Sequence, residues 1–424
     1  MEAFSWECRT KVKFGEGCVR EYLADFVREF AEPGKNILVG YGGGSVKKNG
    51  AYSDVMAVLG ELGYRPARDL AREAGDAAEI CEDHCDASGA DAGLIYEFSG
   101  IMSNPTLAKM QEGAELARRC DAGLIIGVGG GSVMDCCKAI AVQADYAGDA
   151  WNDFWMEGKP MTHHIIPCGV VVTMPATGSE VNGCAVLTNE ETRIKCDRYY
   201  PEITPLFALM DPVYTLTMPL RQIKAGTFDI LSHVMETYFS LPVEGNPADD
   251  VSEGLMRGII RDFRAAVSDP QDLQARSNIM WHASLAENSI IKTGKSKDFQ
   301  AHNMEHQLSA YTNCNHGEGL AVLHPVYYRH IYRAGLPKFV SWAKNVWEID
   351  RDSFRSDEEY ALAGIQALKD FIEEAGLPTT LRALGMTEED RQMLPEIAGS
   401  CFISEGAFRQ MTSEEILEIY NECW

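Results

Sequence analysis

Short apolar runs that end in glycine or polar turns dominate the first half of the chain. NILVGY (36–41), AGLIYEF (92–98) and DAGLIIGV (121–128) are each about a strand long and rich in bulky or β-branched residues. PTLAKMQEGAELARRC (105–120) has helical spacing, with Pro105 placed in the first turn, and AYSDVMAVLGELG (51–63) reads the same way. IIPCGVVVTMPATGSE (165–180) adds another apolar strand and a glycine turn. Strands alternating with helices predict a parallel, doubly wound sheet. From about Tyr214 the period changes, and TFDILSHVMETYFS, GLMRGIIRDFRAAV and YALAGIQALKDFIEEAG are all helical. The expected fold is an α/β domain over residues 1–205 and an all-helical domain over 206–424, with no long repeat or low-complexity linker between them.

Two turns carry the same letters, GGGS, in YGGGSVKKNG (41–50) and VGGGSVMDCCKAI (128–140). In the second, a strand runs into Gly129, Gly130 and Gly131 and a helix follows. Glycine there lets the backbone take positive φ and approach a ligand with no Cβ between. The free N–H groups at the positive end of the helix dipole suit a pyrophosphate. A bare strand–helix turn has the same pattern. No GK[ST] closes the loop, so it is not a Walker A, and its spacing is not GxGxxG. The first turn offers donors from Gly43, Ser45, Lys47 and Lys48, with no Asp or Glu between Tyr41 and Tyr52. At dinucleotide sites an acid after an early strand bonds the ribose 2′-hydroxyl. Donors without that acid favour a 2′-phosphate, hence NADP(H) over NAD(H). Solvated lysines on a glycine turn are the other reading.

Three of ten histidines cluster in DFQAHNMEHQLSAYTNCNHGEG (298–319): His302, His306 and His316. His302 and His306 share a helix face, and so do Asp229 and His233 in FDILSHVMET. Two helices that each present such a pair can build a metal site between them. Asp229, His233, His302 and His316 would supply one oxygen and three nitrogens, a set that suits Zn²⁺ or Fe²⁺. His306 would be left beside the metal to handle protons.

Composition narrows the function. A chain of 424 residues exceeds the usual single core, so two domains are expected. A net charge of −25 argues against nucleic acid and anionic membranes as partners. No apolar run is long enough to span a bilayer. The start MEAFSWECRTKVKFGEG has no basic flank followed by an apolar core, so a cytoplasmic chain is expected. Thirteen cysteines without a CxxC pair suit reduced, buried thiols.

With these stretches in view, the chain resembles the iron-containing (group III) alcohol dehydrogenases, most closely the NADPH-dependent butanol dehydrogenase and aldehyde reductase branch. The stretches that carry the resemblance are YGGGSVKKNG, EFSGIMSNPT, GVGGGSVMDCCKAI, MPATGSEVN, FALMDP, FDILSHVMETYFS and MEHQLSAYTNCNHGEGLAVLHP, in family order over nearly the whole chain. The resemblance implies a dinucleotide-binding α/β domain, a helical domain and an active site in the cleft between them. It implies Asp229, His233, His302 and His316 as ligands of one Fe²⁺ or Zn²⁺, and His306 as the catalytic histidine near the nicotinamide. It implies Gly130, Gly131 and Ser132 at the pyrophosphate. Asp135, one turn on, is expected in both cofactor binding and catalysis. Asn104, Thr173, Thr177 and Lys195 match cofactor contacts, and Gly43, Gly44 and Ser45 match the 2′-phosphate pocket. The activity implied is hydride transfer between NADP(H) and a primary alcohol or aldehyde of butanol type, by a homodimer.

The stretch YRPARDLAREAGDAAEICEDHCDASGADAG (64–93) departs from the family pattern and reads as an inserted helix or hairpin. Cys81, His84 and Cys85 within it have helical spacing but no fourth ligand, so packing roles are expected. Trp151, Phe154, Trp155, Phe239 and Trp281 are pocket or core aromatics. The competing functions are a polyol dehydrogenase on the architecture shared with glycerol dehydrogenase and dehydroquinate synthase, a non-catalytic nucleotide-binding protein, and a metal-storage protein.

Overall fold

The computed structural model describes residues 3–67 and 93–424. Most of the 64–93 stretch, with Cys81, His84 and Cys85, lies outside the described residues. Nine strands are described: β1 (Lys11–Phe14), β2 (Asn36–Tyr41), β3 (Arg65–Pro66), β4 (Leu94–Phe98), β5 (Ala122–Gly130), β6 (Cys168–Met174), β7 (Cys184–Asn189), β8 (Ile194–Tyr199) and β9 (Phe207–Met210). Seven form one parallel sheet in the order β1-β9-β6-β5-β2-β4-β3. Its covering helices are α1 (Cys18–Phe30), the single turn α2 (Ser45–Lys48), α3 (Ala51–Glu61), α4 (Leu107–Arg119) and α5 (Gly131–Ala144). Pro105 falls just before the Thr106 N-cap rather than in the first turn of α4, and the Thr106 side chain accepts from Lys109 N–H at 3.2 Å.

The apolar runs are near-continuous because both sheet faces are covered. Ile37, Val39, Leu124 and Ile126 pack with Val19, Leu23 and Val55 on one face; Leu38 and Ile125 pack with Met110, Ile140 and Trp155 on the other. Because β9 lies between β1 and β6, the sheet unit extends to Met210, past residue 205.

Nine helices follow around one core: α6 (Leu220–Tyr238), α7 (Pro247–Ser268), α8 (Leu273–Glu287), α9 (Gln300–Thr312), α10 (His316–Ile331), α11 (Leu336–Asn345), α12 (Asp357–Glu374), α13 (Glu388–Ser400) and α14 (Ser413–Glu422). The antiparallel pair β7–β8, not foreseen in the sequence, leaves the sheet and packs β8 on α9. Trp151, Phe154 and Trp155 are buried beneath the sheet; Phe239 stacks on Phe339 at 4.1 Å in the helical core; Trp281 is exposed. None of these five lines the site cavity. No described helix is long and apolar enough to cross a membrane. The described cysteines are all free thiols.

Strand order explains the two GGGS turns. From β2 the chain goes out to β3 and β4; from β5 it goes the other way, to β6. A crevice opens at such a switch point, beyond the carboxyl ends of the strands. The register pairs Tyr41 with Val128, so the two turns leave neighbouring strands at the same level.

Candidate active site

Helix α6 presents Asp229 and His233 on one face, and α9 presents His302 and His306. His316 is the first residue of α10, held there by the Asn315 cap, whose side chain accepts from Glu318 N–H at 3.2 Å. Three imidazoles converge on one carboxylate oxygen. Asp229 Oδ1 lies 3.8 Å from His233 Nε2, 3.5 Å from His302 Nε2 and 3.5 Å from His316 Nε2. Tetrahedral bonds of about 2.0–2.1 Å would set ligand atoms roughly 3.3–3.4 Å apart. Asp229 Oδ1 and His302 Nε2 are enclosed and lack hydrogen-bond partners, as atoms reserved for an ion would be. Asp229, His233 and His302 bring ligand atoms within 4.8 Å of one another, while His316, close to Asp229, groups with Glu305 and His306. Carboxylate and imidazole donors of this kind suit Zn²⁺ or Fe²⁺.

Two carboxylates missed in the sequence stand behind these ligands. His302 Nδ1 lies against Glu236, and His316 Nδ1 against Glu305. An ionised carboxylate only accepts, so each Nδ1 carries a proton, and an ion at Asp229 would take the lone pair of each Nε2 in place of a second proton. Their signal was available: Glu236 and Glu305 each follow a ligand histidine by three residues, on the same helix face. Burial disfavours a charge on His302, yet Glu236 and Asp229 outweigh it and lift the imidazole to about 10. Burial also works to raise Asp229, but His233, His316 and His302 hold it well below the carboxylate range. The electrostatics at this point call for a positive charge.

A cavity of about 130 Å³ opens beside His233, His302 and His316. The sheet unit contributes Asn104, Asp135, Thr177 and Lys195 to its wall; the helical unit contributes His233, His302, His306 and His316. Phe299 and Glu287, also missed, complete the side near His233. His306 is fully buried, and burial, Lys195 and His316 push it well below its usual value, so the imidazole is uncharged at neutral pH. Lys195 is buried, 3.3 Å from Glu305, and its carbonyl accepts from Gln307 Nε2 at 2.9 Å. It therefore stands behind the His316–Glu305 pair as well as in the cavity wall. Asn104, at φ 52°, donates across the cleft to Asn313 at 3.0 Å.

Both oxygens of Asp135 are engaged: Oδ1 accepts from Ser179 Oγ at 2.5 Å and Oδ2 from Val186 N–H at 3.1 Å. The enclosed ammonium of Lys138, one turn along α5, donates to Ser179 Oγ at 2.7 Å and to the carbonyls of Asn182 and Cys184 at 2.8 Å. Burial raises Asp135 and lowers Lys138, each opposed by the other's charge. The two residues clasp the 179–186 segment that forms one cavity wall.

Gly43, Gly44, Ser45, Gly130, Gly131, Ser132 and Thr173 lie outside this cavity, along the crevice at the ends of β2, β5 and β6. Helix α5 begins at Gly131 with no side-chain cap, so its first N–H groups face the crevice. A Cβ on Gly131 would sit 2.5 Å from Thr177, whereas one on Gly43 or Gly44 would meet nothing within 4 Å. Packing thus requires glycine at 131, whereas the space beside 43 and 44 is open. Below the first turn, Tyr41 donates to Glu97 at 2.6 Å, and the Lys47 ammonium sits 5.1 and 4.6 Å over the rings of Tyr41 and Tyr52.

The family model for iron-containing alcohol dehydrogenase matches residues 73–212, and that for the C-terminal part of the Fe-containing alcohol dehydrogenase family matches 223–424. The first match takes in residues 73–93 of the stretch set apart as an insertion. NADH-dependent butanol dehydrogenase A of Clostridium acetobutylicum is 33% identical over 100% of both chains. The NADPH-dependent aldehyde reductase YqhD of Escherichia coli is 32% identical over 91% of this chain and 90% of its own. The crystal structure of NADH-dependent butanol dehydrogenase A from Thermotoga maritima superposes with a TM-score of 0.85, at 30% identity over 100% of this chain and 99% of that one.

Proposed function

Because the chain belongs to the iron-containing alcohol dehydrogenase family, we propose that it transfers hydride between NADP(H) and a primary alcohol or aldehyde of butanol type. The observation that carries this reading is the convergence of three Nε2 atoms on Asp229 Oδ1 beside a cavity walled by both units. A divalent ion held by Asp229, His233, His302 and His316 would lend Lewis acidity to the carbonyl or alcohol oxygen, and the nicotinamide would carry the hydride.

The chain's own residues do the rest. Glu236 and Glu305 fix the tautomers of His302 and His316. His306 is the proton carrier: an uncharged imidazole in the cavity wall can take the proton of an alcohol, or return one. Asp135, with both oxygens engaged, serves placement of the cofactor. The start of α5 at Gly131 and Ser132 receives the pyrophosphate. Gly43, Gly44 and Ser45 receive the adenosine ribose, and Asn104, Thr173, Thr177 and Lys195 line the way between. A cavity beside the enclosed ligands argues for this oxidoreductase over a storage protein. The exposed, edge-to-face pair Phe14 and Trp281, 6.0 Å apart beside edge strand β1, supports a homodimer. The abundant free thiols support a cytoplasmic location.

A second cofactor reading has its own observation. Glu97 stands under the first turn, where a carboxylate could meet a ribose 2′-hydroxyl and favour NAD(H). The proposal rests on Tyr41 occupying that carboxylate while Ser45 and Lys48 face outward. Measuring kcat/KM for NADPH and NADH against butyraldehyde decides it. A tenfold or larger preference for NADPH is expected, and equal values would remove the 2′-phosphate pocket from the reading.

A further inference from the structure

Two of the three imidazoles at Asp229 have a carboxylate in contact with Nδ1; the third, His233, does not, and its Nδ1 is enclosed without a partner. Glu287, the last residue of α8, shows the complementary defect. Its Oε2 accepts from Lys292 Nζ at 2.6 Å and from Asn182 Nδ2 at 3.4 Å, while Oε1 is enclosed without a partner. Both side chains line the same cavity, and in the structure neither a hydrogen bond nor an ion pair joins them. The Lys292 ammonium on Oε2 makes Glu287 an ion-paired carboxylate, hence an acceptor. Gly178, at φ +58°, packs so closely that a Cβ there would stand 2.4 Å from Glu287 Cβ. The carboxylate is therefore braced from the 177–182 loop of the sheet unit.

We infer that, when the ion binds, Glu287 becomes the positioning carboxylate of His233, closing the gap between them to accept its Nδ1–H so that Nε2 faces Asp229 with a free lone pair. A buried donor and a buried acceptor left alone each destabilise the fold, and pairing them removes both defects together. The result is a carboxylate behind every ligand histidine. This third one differs from Glu236 and Glu305 in being tied, through Asn182 and Gly178, to the unit that carries the cofactor crevice. Ion affinity and closure of the loop are thereby linked. The inference rests on the reading of Asp229, His233, His302 and His316 as ligands of one ion.

The test is Co²⁺ binding to metal-stripped protein, by chelator competition and by the ligand-field absorption of the bound ion, with no substrate or nucleotide present. Glu287→Leu should bind Co²⁺ about 10–100-fold more weakly than the unaltered chain and shift the absorption band. Glu287→Asp keeps the charge for Lys292 but draws the oxygens back by a methylene, and should also lose affinity. Glu287→Gln, whose amide oxygen still accepts, should recover most of it. Either the Leu or the Asp variant, folded and retaining unaltered affinity and spectrum, overturns the inference. His302→Ala in the same assay separates the two levels. If it too binds as the unaltered chain does, the ligand set itself is wrong; if it loses the ion while the Glu287 variants keep it, only the role of Glu287 falls.

Discussion

Tyr41 and Val128 are register partners on adjacent parallel strands, and that pairing brings the two GGGS turns side by side at the point where the chain reverses its direction of travel across the sheet. The repeat is thus two lips of one crevice. One lip starts a four-turn helix whose N–H groups are free; the other starts a single helical turn carrying Ser45, Lys47 and Lys48. In open α/β sheets a crevice of this kind, outside the carboxyl ends of the strands at a switch point, is where ligands bind.

The two lips should respond differently to one added methyl. Gly131→Ala drives a Cβ into Thr177 at 2.5 Å, so both stability and cofactor affinity should fall. Gly43→Ala meets nothing within 4 Å and needs no change of backbone. It should leave the unfolding midpoint within about 1 °C while raising KM for NADPH by roughly tenfold, which is about 1.4 kcal/mol. Thermal scans with initial-rate kinetics check both. An unchanged KM in Gly43→Ala would detach the cofactor from that turn.

Removing a ligand should remove ion and turnover together. Asp229 Oδ1 faces three Nε2 atoms, and His302→Ala deletes the one of those three that is enclosed without a partner. The expected loss in kcat is about 10³-fold or more, because Lewis-acid stabilisation of the developing alkoxide is worth several kcal/mol. Metal analysis of protein purified without oxygen, beside butyraldehyde turnover, is the measurement. A variant with a full complement of ion and unaltered rate would refute the assignment.

How far the sequence could be read follows from what is local. The i, i+4 pairs Asp229/His233 and His302/His306 are legible because helical pitch alone sets them on one face. The strands were legible because a sheet covered on both sides needs continuous apolar runs, as in β5. Glu236 and Glu305 share helix faces with His233 and His302 and so left a local signal, but that they meet the Nδ1 atoms of His302 and His316 depends on how α6, α9 and α10 cross. The β7–β8 pair was missed because CAVLTN and IKCDRY are short and amphipathic, and their placement comes from packing on α9. Glu97 escaped the argument about acids near the first turn because it arrives from β4, far along the chain. The aromatic residues were left as pocket or core, and periodicity cannot separate the two; four proved to be core and Trp281 is on the surface.

Stability should fall below neutral pH through His324. It is fully buried, its Nε2 is 2.6 Å from Ser232 Oγ, and burial lowers it to about 4. In the unfolded chain the ring titrates near 6.5. Between those values the unfolded chain binds more protons than the folded one, so stability rises with pH across that window. The contribution is whole above about 6.5 and is lost as pH falls toward 4. From pH 7.5 to 5.5 it amounts to about 1.4 kcal/mol. Urea unfolding of the unaltered chain and of His324→Gln at both pH values should show their difference shrinking by that amount. A difference independent of pH would mean that the folded ring is not held neutral.

Lys138 is the last test, because its burial is hard to explain without the wall it holds. The ammonium has no exposed surface and no carboxylate in direct contact; it reaches Asp135 only through Ser179. An ammonium with such partners stays charged only if the acceptors around it replace water, and Ser179, Asn182 and Cys184 supply them. Lys138→Met keeps the stem but leaves two carbonyls and the Asp135 carboxylate without compensation. Breaking a buried charge arrangement on one side costs about 3–5 kcal/mol. Denaturant unfolding should show a loss of that size. The wall from Ser179 to Val186 borders the cavity, so kcat/KM for aldehyde should fall further than ion content does. Lys138→Arg cannot restore the function, since a planar guanidinium does not fit three acceptors arranged around one nitrogen. If Lys138→Met unfolds like the unaltered chain and turns over at the same rate, the clasp contributes neither stability nor order to the site.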